Sequence, residues 1–443
     1  MGCNALKPIT HHPSLITWKE MGSLSLKIKS LRTLREIDVK GKRVLVRVDF
    51  NVPLNDQGDV ADDSRLVATL PTIRYLLEQG AGVILMSHLG RPEGKVNDKL
   101  RLGGVARRLG ELLGRPVKKV DDCVGPAVVA AAGQLQPGEV LLLENLRFHP
   151  EEEANDREFA RSLASLADAY VDDAFGTAHR AHASTTGVAE FLPSAAGFLM
   201  EKEVTMLGRL LTDPDRPFTA VLGGAKIADK IGVLEKLAEK VDRLLLGGGM
   251  ANTFLKAGGN AMGDSLVDES HLDFARDFML RARDRGVVVD LPVDLVIAPR
   301  PPVRRILSGR AVSPDAVEGT SRNAGHPETR VVAPGEVPDG WMALDIGPRT
   351  VERFQEAIAK SKTVFWNGPL GLFEQPAFAH GSEAIARAIV RPGLVSVVGG
   401  GDSLALLEQA GVAGQVTHAS TGGGASLEFL EGRELPGVAV LSH

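Results

Sequence analysis

The chain has 443 residues, of which 44% are hydrophobic and 24% charged, and its formal net charge is −5. This balance is typical of a globular protein, the length predicts two domains or one large one, and the charge indicates neither a nucleic acid nor a membrane as partner. Two cysteines, Cys3 and Cys123, exclude a disulfide framework and any C-x-x-C motif. No apolar run reaches the roughly 18 residues of a membrane span. We therefore expect a protein of the reducing cytoplasm.

The first 26 residues carry no functional assignment. Pro8 and Pro13 interrupt the segment, which has no apolar core of a secretory signal. Leu6 stands where N-myristoylation requires Ser or Thr. We expect a disordered extension or a start codon placed too early, with Met21 as the alternative start.

Apolar runs of strand length alternate with helical patterns through the remaining chain. The runs are nearly continuous in hydrophobic residues, which predicts strands of parallel sheets covered by helices on both faces. The predicted strands are Val44–Val48, Val83–Met86, Val140–Leu143, Tyr170–Val171, Thr219–Leu222, Leu244–Leu246, Val287–Val289, Thr363–Trp366 and Leu394–Val398. A helix is predicted over Leu70–Gln79, with Leu70, Ile73 and Leu77 on one face and Gly80 at the C-cap. Strand–helix–strand order of this kind implies right-handed βαβ units.

Polar or glycine-rich turns follow most of these strands. Because ligands of parallel sheets bind outside the carboxyl ends of the strands, the turns mark the walls of a candidate site. They carry arginine in the first half of the chain and glycine with lysine in the second half. The change falls near Phe198–Leu211, which we predict to be a helix that joins two domains. Residues 299–334 lack a regular period and predict an exposed insertion, within about Pro299–Glu328.

Five arginines of the first half lie in or beside strand-end turns or at a helix start. They are Arg47, Arg65, Arg91, Arg147 and Arg180. Each alone is more often an ion-paired surface residue, but several guanidinium forks in one pocket would select a small polyanion. His88, between a buried strand and a glycine turn, favours a ligand contact. His179 and His182 lack a third metal ligand, so we assign them structural or hydrogen-bonding roles.

The glycine turns of the second half match neither the P-loop nor the dinucleotide fingerprint. Gly223–Lys230 nevertheless follows a strand and opens a predicted helix, where backbone N–H groups hold phosphate. Lys226 and Lys230 are one helical turn apart and could face one anion; the alternative is a solvated lysine face. In Gly399–Ser403, Asp402 either positions Mg²⁺ on nucleotide phosphates or serves as a helix N-cap.

A Gly-Asp-Ser-Leu tetrapeptide occurs twice and resembles the nucleophile block of the GDSL esterases. The copies are Gly263–Leu266 and Gly401–Leu404, and Asp268–His271 supplies an Asp-x-x-His. In that family the serine block lies near the N-terminus and the Asp-x-x-His far downstream. The spacing here disfavours an esterase.

The motifs taken together resemble phosphoglycerate kinase. Val46–Pro53 is similar to the opening signature of that family. Further motifs follow in family order at Ser87–Pro92, Glu144–Phe148, Asp173–His182, Gly223–Lys230, Gly247–Met250, Leu291–Asp294, Asp345–Pro348, Trp366–Pro369, Gly399–Ser403 and Ser420–Ala425. The resemblance covers about residues 27–443.

The resemblance implies two Rossmann-like, three-layer α/β domains with parallel sheets, joined by an interdomain helix and a hinge. Residues 27–203 plus 425–443 would bind phosphoglycerate, and residues 204–424 the nucleotide. The implied reaction is glycolytic: 1,3-bisphosphoglycerate and Mg-ADP give 3-phosphoglycerate and Mg-ATP, reversibly. The resemblance also implies a cytoplasmic, hinge-bending monomer that uses Mg²⁺. A catalytically silent, nucleotide-binding relative is the main alternative, disfavoured because Arg65, Lys226 and Asp402 are all present.

Site residues are carried over motif by motif. Phosphoglycerate would contact Arg47, Asp49, Phe50, Asn51, Arg65, His88, Leu89, Gly90, Arg91, Arg147 and Arg180. The nucleotide would contact Gly224, Ala225, Lys226, Lys230, Asn367, Glu374, Gly400, Gly401, Asp402 and Ser403. Catalytic roles would fall to Arg65, Lys226, Gly422 and Gly423, and Asp402 would hold the metal. Two departures from the family are the long insertion and Ser403, where threonine is common.

Overall fold

Fifteen strands and fourteen α-helices lie in residues 31–300 and 328–442, which a computed structural model of the chain describes. The strands are β1 (Arg43–Arg47), β2 (Gly82–Met86), β3 (Val117–Lys119), β4 (Val140–Leu142), β5 (Ala169–Asp172), β6 (Ser194–Ala196), β7 (Phe218–Leu222), β8 (Arg243–Leu246), β9 (Val288–Asp290), β10 (Leu295–Pro299), β11 (Arg330–Val332), β12 (Trp341–Ile346), β13 (Thr363–Asn367), β14 (Val395–Gly399) and β15 (His418–Ser420). The extension predicted at residues 1–26 lies outside the described residues, as does nearly all of the predicted insertion.

The helices alternate with the strands, as βαβ units require. They are α1 (Ser64–Glu78), α2 (Gly103–Leu113), α3 (Pro126–Gly133), α4 (Pro150–Glu153), α5 (Arg157–Ala164), α6 (Phe198–Thr212), α7 (Ile231–Leu237), α8 (Gly248–Ala257), α9 (Leu272–Asp284), α10 (Pro348–Ala359), α11 (His380–Ala388), α12 (Gly401–Gln409), α13 (Gly424–Leu430) and α14 (Pro436–Ala439). None of the described helices is both long enough and apolar enough to span a membrane.

Two six-stranded sheets form the framework, and every strand pair within them is parallel. The first has the order β3-β4-β2-β1-β5-β6 and the second the order β15-β14-β13-β7-β8-β9. A small antiparallel sheet, β11-β10-β12, accompanies the second. The predicted fold class, two parallel-sheet α/β domains, is confirmed.

All nine predicted strands overlap observed ones. Most of their apolar runs are buried on both faces of the sheets, whereas Val288 of the edge strand β9 is exposed. The sequence analysis missed six strands. Three of these, β3, β6 and β15, belong to the parallel sheets and are only three residues long, and β15 reads His-Ala-Ser without any apolar run. The other three, β10, β11 and β12, form the antiparallel sheet that flanks the long insertion, and β11 is also only three residues long.

Helix α1 begins six residues before its predicted start at Leu70 and ends, as predicted, near Gln79. Its buried face includes Leu70 and Ile73, with Leu76 fully buried and Leu77 only partly so. Gln79 is the C-cap residue, and Gly80 follows it with φ +71°. The sequence predicts Gly80 as the C-cap residue itself. In the structure it is the residue after the C-cap, in the left-handed conformation that glycine commonly adopts there.

Helix α6 connects the two sheets, as the sequence predicted for Phe198–Leu211. Its buried residues Met200, Val204 and Leu207 share one hydrophobic cluster with Phe175 of the first half and Phe218 of the second. The last segment of the chain returns to the first half, where the Arg32 backbone N–H donates to the Leu441 carbonyl at 2.9 Å. The domain limits at residues 203 and 425 stay predictions.

Candidate active site

The carboxyl edge of the first sheet gathers most of the predicted phosphoglycerate contacts. Asp49 and Asn51 follow β1, His88 follows β2, and Arg147 lies in a 3₁₀ turn after β4. The Asn51 Oδ1 accepts a hydrogen bond from the Gly90 N–H at 2.8 Å, which ties the turns of β1 and β2 together. Parallel strands bring these separate stretches of sequence to one edge.

Arg65 and Asp49 form the central ion pair of this edge. Arg65 Nη1 lies 2.5 Å from Asp49 Oδ2, and the Arg65 side chain is one-third exposed. The other Asp49 oxygen lies 3.8 Å from His88 Nδ1. The carboxylate therefore orients Arg65, while part of the guanidinium fork stays open to a ligand.

Arg47 lies beneath this pair and is 1% exposed. Its Nε donates to Ser184 Oγ at 2.8 Å, its Nη1 donates to the Val48 carbonyl, and its Nη2 is 3.2 Å from His88 Nδ1. Ser184 in turn donates to the buried Glu152 at 2.6 Å. These partners leave Arg47 almost no exposed surface and place it against His88, and its direct contact with phosphoglycerate stays a prediction.

Burial and surrounding arginines keep the histidines of the cluster neutral. Burial first, and then the charge of Arg47, holds the pKa of His88 well below its usual range. The same two causes lower the pKa of His182 to about 4. Both rings are therefore neutral near pH 7, and His88 Nδ1 lies within hydrogen-bonding distance of Arg47 Nη2.

The remaining arginines differ in exposure. Arg147 is 8% exposed, and its Nη1 donates to the Gly90 carbonyl at 2.9 Å. Burial is the main cause that lowers the Arg147 pKa. Arg180 is exposed and its Nε donates to His179 Nε2 at 3.1 Å. Arg91 is exposed and has no hydrogen bond or ion pair with another described residue.

Phe50 and Leu89 have their side chains in the hydrophobic core of the first sheet. The Phe50 N–H donates to Ser87 Oγ at 2.9 Å, and the Leu89 N–H donates to Asn145 Oδ1 at 3.1 Å. Both residues fix the turns that carry Asp49 and His88. Neither offers a polar side chain to a ligand, so their part in the site is structural.

In the second half, Lys230 and Lys226 do not face one anion. Lys230 Nζ donates to the Gly223 carbonyl at 2.6 Å and to the Asn367 carbonyl at 3.0 Å, and burial lowers its pKa to about 8. Lys226 is exposed. The expected helix start is also wrong: a 3₁₀ turn at Ala228–Lys230 precedes α7. Lys230 thereby joins the ends of β7 and β13, while Lys226 is free for a ligand.

The start of α12 has an exposed carboxylate. Gly400, with φ +94°, is the N-cap residue, so the alternative role of Asp402 as N-cap is wrong. Asp402 lies exposed in the first turn without a hydrogen bond or ion pair to any described residue. The buried Ser403 hydroxyl accepts from the Gly368 N–H at 2.7 Å, and Asn367 Nδ2 donates to the Gly399 carbonyl at 2.8 Å. Glu374 is exposed in the loop between β13 and α11.

A buried glutamate that the sequence analysis missed connects α6 to the turn after β15. Glu203 is fully buried, and its Oε1 accepts from the Thr421 N–H at 2.7 Å and from Thr421 Oγ1 at 3.0 Å. Its Oε2 lies 2.8 Å from His418 Nε2. Glu203 gave no sequence signal, because an acid in an amphipathic helix is ordinarily solvated.

Gly176 lies between the arginine edge of the first sheet and the turn that follows β15. A side-chain Cβ at this position would lie 2.7 Å from Asp49 Oδ2 and 3.4 Å from the Thr421 carbonyl. The neighbouring Phe175 ring would lie 2.6 Å from a Cβ at Gly422. The Gly422-Gly423 turn therefore lies beside the Asp49–Arg65 pair, although these residues are about 370 positions apart in the chain.

Neither serine of the two Gly-Asp-Ser-Leu tetrapeptides has the surroundings of an esterase nucleophile. Ser403 is fully buried and its hydroxyl accepts a backbone N–H, as described above. Ser265 is also buried, and its Oγ accepts from the Ala343 N–H at 2.9 Å. In neither case does a histidine bond the hydroxyl, so a base-activated nucleophile is absent from both described tetrapeptides.

Two parallel α/β sheets, with an arginine cluster at one carboxyl edge and glycine turns with lysine at the other, define a two-domain α/β phosphotransferase. A family model described as Phosphoglycerate kinase matches residues 34–433. The chain is 58% identical over 411 residues to the phosphoglycerate kinase of Moorella thermoacetica, covering 93% of this chain and 99% of that protein. The chain belongs to the phosphoglycerate kinase family.

Other relatives agree with this assignment. The phosphoglycerate kinase of Pelotomaculum thermopropionicum is 56% identical over 410 residues, covering 93% of this chain and 98% of that protein. The phosphoglycerate kinase structure from Coxiella burnetii has a TM-score of 0.80 at 38% identity, covering 93% of this chain and 99% of that one. The structure from Pyrococcus horikoshii has a TM-score of 0.74 at 33% identity, covering 93% and 98%.

Proposed function

We propose that this protein reversibly transfers a phosphoryl group between 1,3-bisphosphoglycerate and Mg-ADP, giving 3-phosphoglycerate and Mg-ATP, as a glycolytic phosphoglycerate kinase. Family membership supports the reaction. The observation that carries it is the approach of Asp49 and Thr421 to Gly176, which joins the arginine edge to the glycine turn of the second half. Phosphoryl transfer needs both substrates to be brought together, and this approach supports a role for the Gly422-Gly423 turn beside the phosphoglycerate contacts.

Phosphoglycerate would bind at the first sheet through the groups that the fold leaves accessible. Arg65, Arg91 and Arg180 are at least partly exposed and would contact its carboxylate and phosphate oxygens. Asn51 and Arg147 are less exposed and would close the floor of the site. Arg47 would act behind His88, by orienting the neutral imidazole toward the ligand.

The nucleotide would bind at the second sheet. Its phosphates would lie against Gly224, Ala225 and Lys226 and against the N-terminal turn of α12, whose backbone N–H groups and helix dipole favour anions. Glu374 would contact the nucleoside from its exposed loop. Lys230 and Asn367 would hold the strand ends together beneath the phosphates. Asp402 suits Mg²⁺ as a carboxylate ligand because it is exposed and unpaired among the described residues; when bound, the ion would neutralise phosphate charge.

The transfer step would depend on position and charge. In the ATP-consuming direction the nucleophile is the carboxylate of 3-phosphoglycerate, which is already ionised at pH 7, so no general base is needed. The neutral His88 agrees with that requirement. Arg65, Lys226 and the Gly422 and Gly423 amides would stabilise the charge of the transferring group. Closure of a monomeric, cytoplasmic enzyme about its hinge would exclude water, which would otherwise hydrolyse the acyl phosphate.

The test is turnover of ATP and 3-phosphoglycerate with Mg²⁺, coupled to reduction of the acyl phosphate by a dehydrogenase and NADH. We expect about tens to hundreds of turnovers per second, which is common for efficient enzymes. Absence of turnover with intact nucleotide binding would instead establish a catalytically silent relative.

A further inference from the structure

A cysteine, a histidine and an aspartate converge beside β3, the edge strand of the first sheet, which β4 and β2 separate from β1. Asp122 and Cys123 follow β3, and His149 stands between the 3₁₀ turn of Arg147 and α4. One ligand atom from each of the three lies within 4.8 Å of the other two. We propose that Asp122, Cys123 and His149 bind a single zinc-class divalent cation, at a site separate from phosphoryl transfer.

The three side chains are already held in place by the fold. His149 Nε2 lies 2.7 Å from Asp122 Oδ1, and the same oxygen accepts from the Cys123 N–H at 2.7 Å. The His149 ring packs against Phe159, with centroids 5.3 Å apart. The Asp122 carbonyl accepts from the Glu144 N–H at 3.2 Å, which ties the loop after β3 to the end of β4. Ordered ligands reduce the entropy that a metal must overcome to bind.

The donor set selects the class of ion. Thiolate, imidazole and carboxylate together favour Zn²⁺ and its analogues Co²⁺ and Cd²⁺ over Mg²⁺ or Ca²⁺, which require oxygen ligands. Zinc–ligand bonds of about 2.0–2.3 Å place tetrahedral neighbours about 3.3–3.8 Å apart, so the side chains need to move by only about 1 Å. Binding replaces the Asp122–His149 hydrogen bond, and His149 takes the tautomer protonated on Nδ1 so that the Nε2 lone pair binds the metal. The thiol proton of Cys123 is released to solvent while the sulfur forms its bond to the metal.

The three proposed metal ligands differ in their exposure to solvent. Cys123 is fully buried, whereas the Asp122 and His149 side chains are 54% and 28% exposed. An ion can therefore reach Asp122 and His149 from solvent and bind the buried Cys123 sulfur as its third protein ligand. Water then completes the coordination as the fourth ligand, as in open zinc sites. Burial raises the pKa of the Cys123 thiol well above its ordinary value, so the free thiol is a poor nucleophile and a reactive-cysteine role is disfavoured.

The probe is Co²⁺, titrated into the full-length protein carrying Cys3→Ser, with excess Mg²⁺ to occupy the nucleotide metal site. In this background a thiolate-to-cobalt charge-transfer band in the near ultraviolet arises only from Cys123. We expect that band with intense visible bands of tetrahedral cobalt, a stoichiometry of one, and loss of both on adding Zn²⁺. Cys123→Ser should abolish the charge-transfer band, and His149→Ala should weaken cobalt affinity by about tenfold or more.

A matched control is His271→Ala. His271 forms the same kind of contact with Asp268, 2.9 Å apart, but without a cysteine in the group, so its loss should leave the cobalt spectrum unchanged. If Cys123→Ser does not fold, the partly exposed His149→Ala and Asp122→Asn variants, checked by circular dichroism, decide the matter. Absence of the thiolate band at saturating cobalt, or a band that survives His149→Ala at full affinity, would overturn the site and leave a hydrogen-bonded pair beside a core thiol.

Discussion

At the scale of single residues, the arginines of the first half have different surroundings and therefore different uses. Arg47 is embedded among Ser184, His88 and the Val48 carbonyl, whereas Arg65 holds one carboxylate and keeps part of its fork exposed. Sequence spacing grouped them as equal ligands of one anion. The structure separates a supporting arginine from one that can meet the substrate, because only the packed fold sets exposure.

Arg65→Ala should reduce kcat by about 10²–10³-fold, since it removes charge placed beside the transferring group. Nucleotide affinity should change little, because the proposed nucleotide contacts lie on the second sheet. The coupled turnover assay and nucleotide binding by calorimetry measure the two quantities. Arg161→Ala, which removes an exposed arginine paired with Glu158 on α5, serves as the control and should retain full activity. An unchanged kcat in Arg65→Ala would remove Arg65 from the transfer step.

Asp402→Ala should raise the Mg²⁺ concentration needed for half-maximal activity, because it deletes the only protein carboxylate that we place on the ion. The measurement is turnover at fixed nucleotide over a range of Mg²⁺. Asp273→Ala is a matched control, since Asp273 is likewise an exposed acid at the second position of its helix, α9. A wild-type Mg²⁺ requirement in Asp402→Ala would contradict the metal assignment.

At the scale of elements, Glu203 is the connection between α6 and the turn that carries Gly422 and Gly423. It accepts hydrogen bonds from the backbone and hydroxyl of the half-buried Thr421 and contacts the buried His418. One turn earlier in α6, Asp173 Oδ1 accepts from the Leu199 N–H at 2.8 Å. Two buried carboxylates, Asp173 and Glu203, thus bond the start of the connecting helix to the first half and to Thr421 of the second.

Glu203→Gln should lower the free energy of unfolding by about 1–3 kcal/mol, because an amide cannot accept all of these bonds and leaves buried polar groups unpaired. It should also lower kcat, since the Gly422-Gly423 turn loses its fixed position. Denaturant unfolding and the coupled assay measure both. Adding His418→Gln completes a double-mutant cycle, in which coupling of about 0.5–3 kcal/mol is expected for residues in contact. Strict additivity would mean that Glu203 and His418 do not act together.

At the scale of the whole molecule, stability depends on pH through buried acids as well as through the site. Burial raises the pKa of Asp345 to about 7, although the Gly381 and Ile346 N–H groups bonded to it lower it in part. The folded state then binds more protons than the unfolded state between about pH 4 and pH 7. This group's contribution to stability is present below about pH 4 and is lost as the pH rises to about 7.

Asp345→Asn should therefore gain stability relative to wild type as the pH increases from about 4 to 7, with no further relative change above pH 8. Denaturant unfolding followed by tryptophan fluorescence suits the measurement, because Trp341 and Trp366 both lie in the second half with Asp345. A difference between the two proteins that stays constant from pH 4 to pH 8 would show that Asp345 titrates normally.

The proposed hinge closure can be tested by a measurement on the whole chain. We expect the radius of gyration from small-angle X-ray scattering to decrease when 3-phosphoglycerate and a non-hydrolysable Mg-nucleotide bind together, and to decrease less with either alone, because each ligand occupies one half-site. Equal radii in all states of an active enzyme would rule out closure as a requirement for transfer.

Much of the fold followed from patterns that are local in the chain. Continuous apolar runs predicted nine of the strands, and the helical pattern at Phe198–Leu211 predicted the connecting helix almost to its ends. Short strands such as β15 escaped because three residues contain no readable period. The motifs likewise predicted the arginine and glycine turns, but they could not separate Lys226 from Lys230, whose difference is burial.

The sequence by itself determined the fold class, the family resemblance and the residues at the strand ends, because each depends on hydrophobic period or on motifs a few residues long. Only the tertiary structure decided which of those residues reach solvent and which distant groups meet. Glu203 with Thr421, Gly176 with Asp49, and Cys123 with His149 are all such meetings. Contacts between residues far apart in the chain depend on how the sheets and helices pack, and no local pattern of residues specifies them.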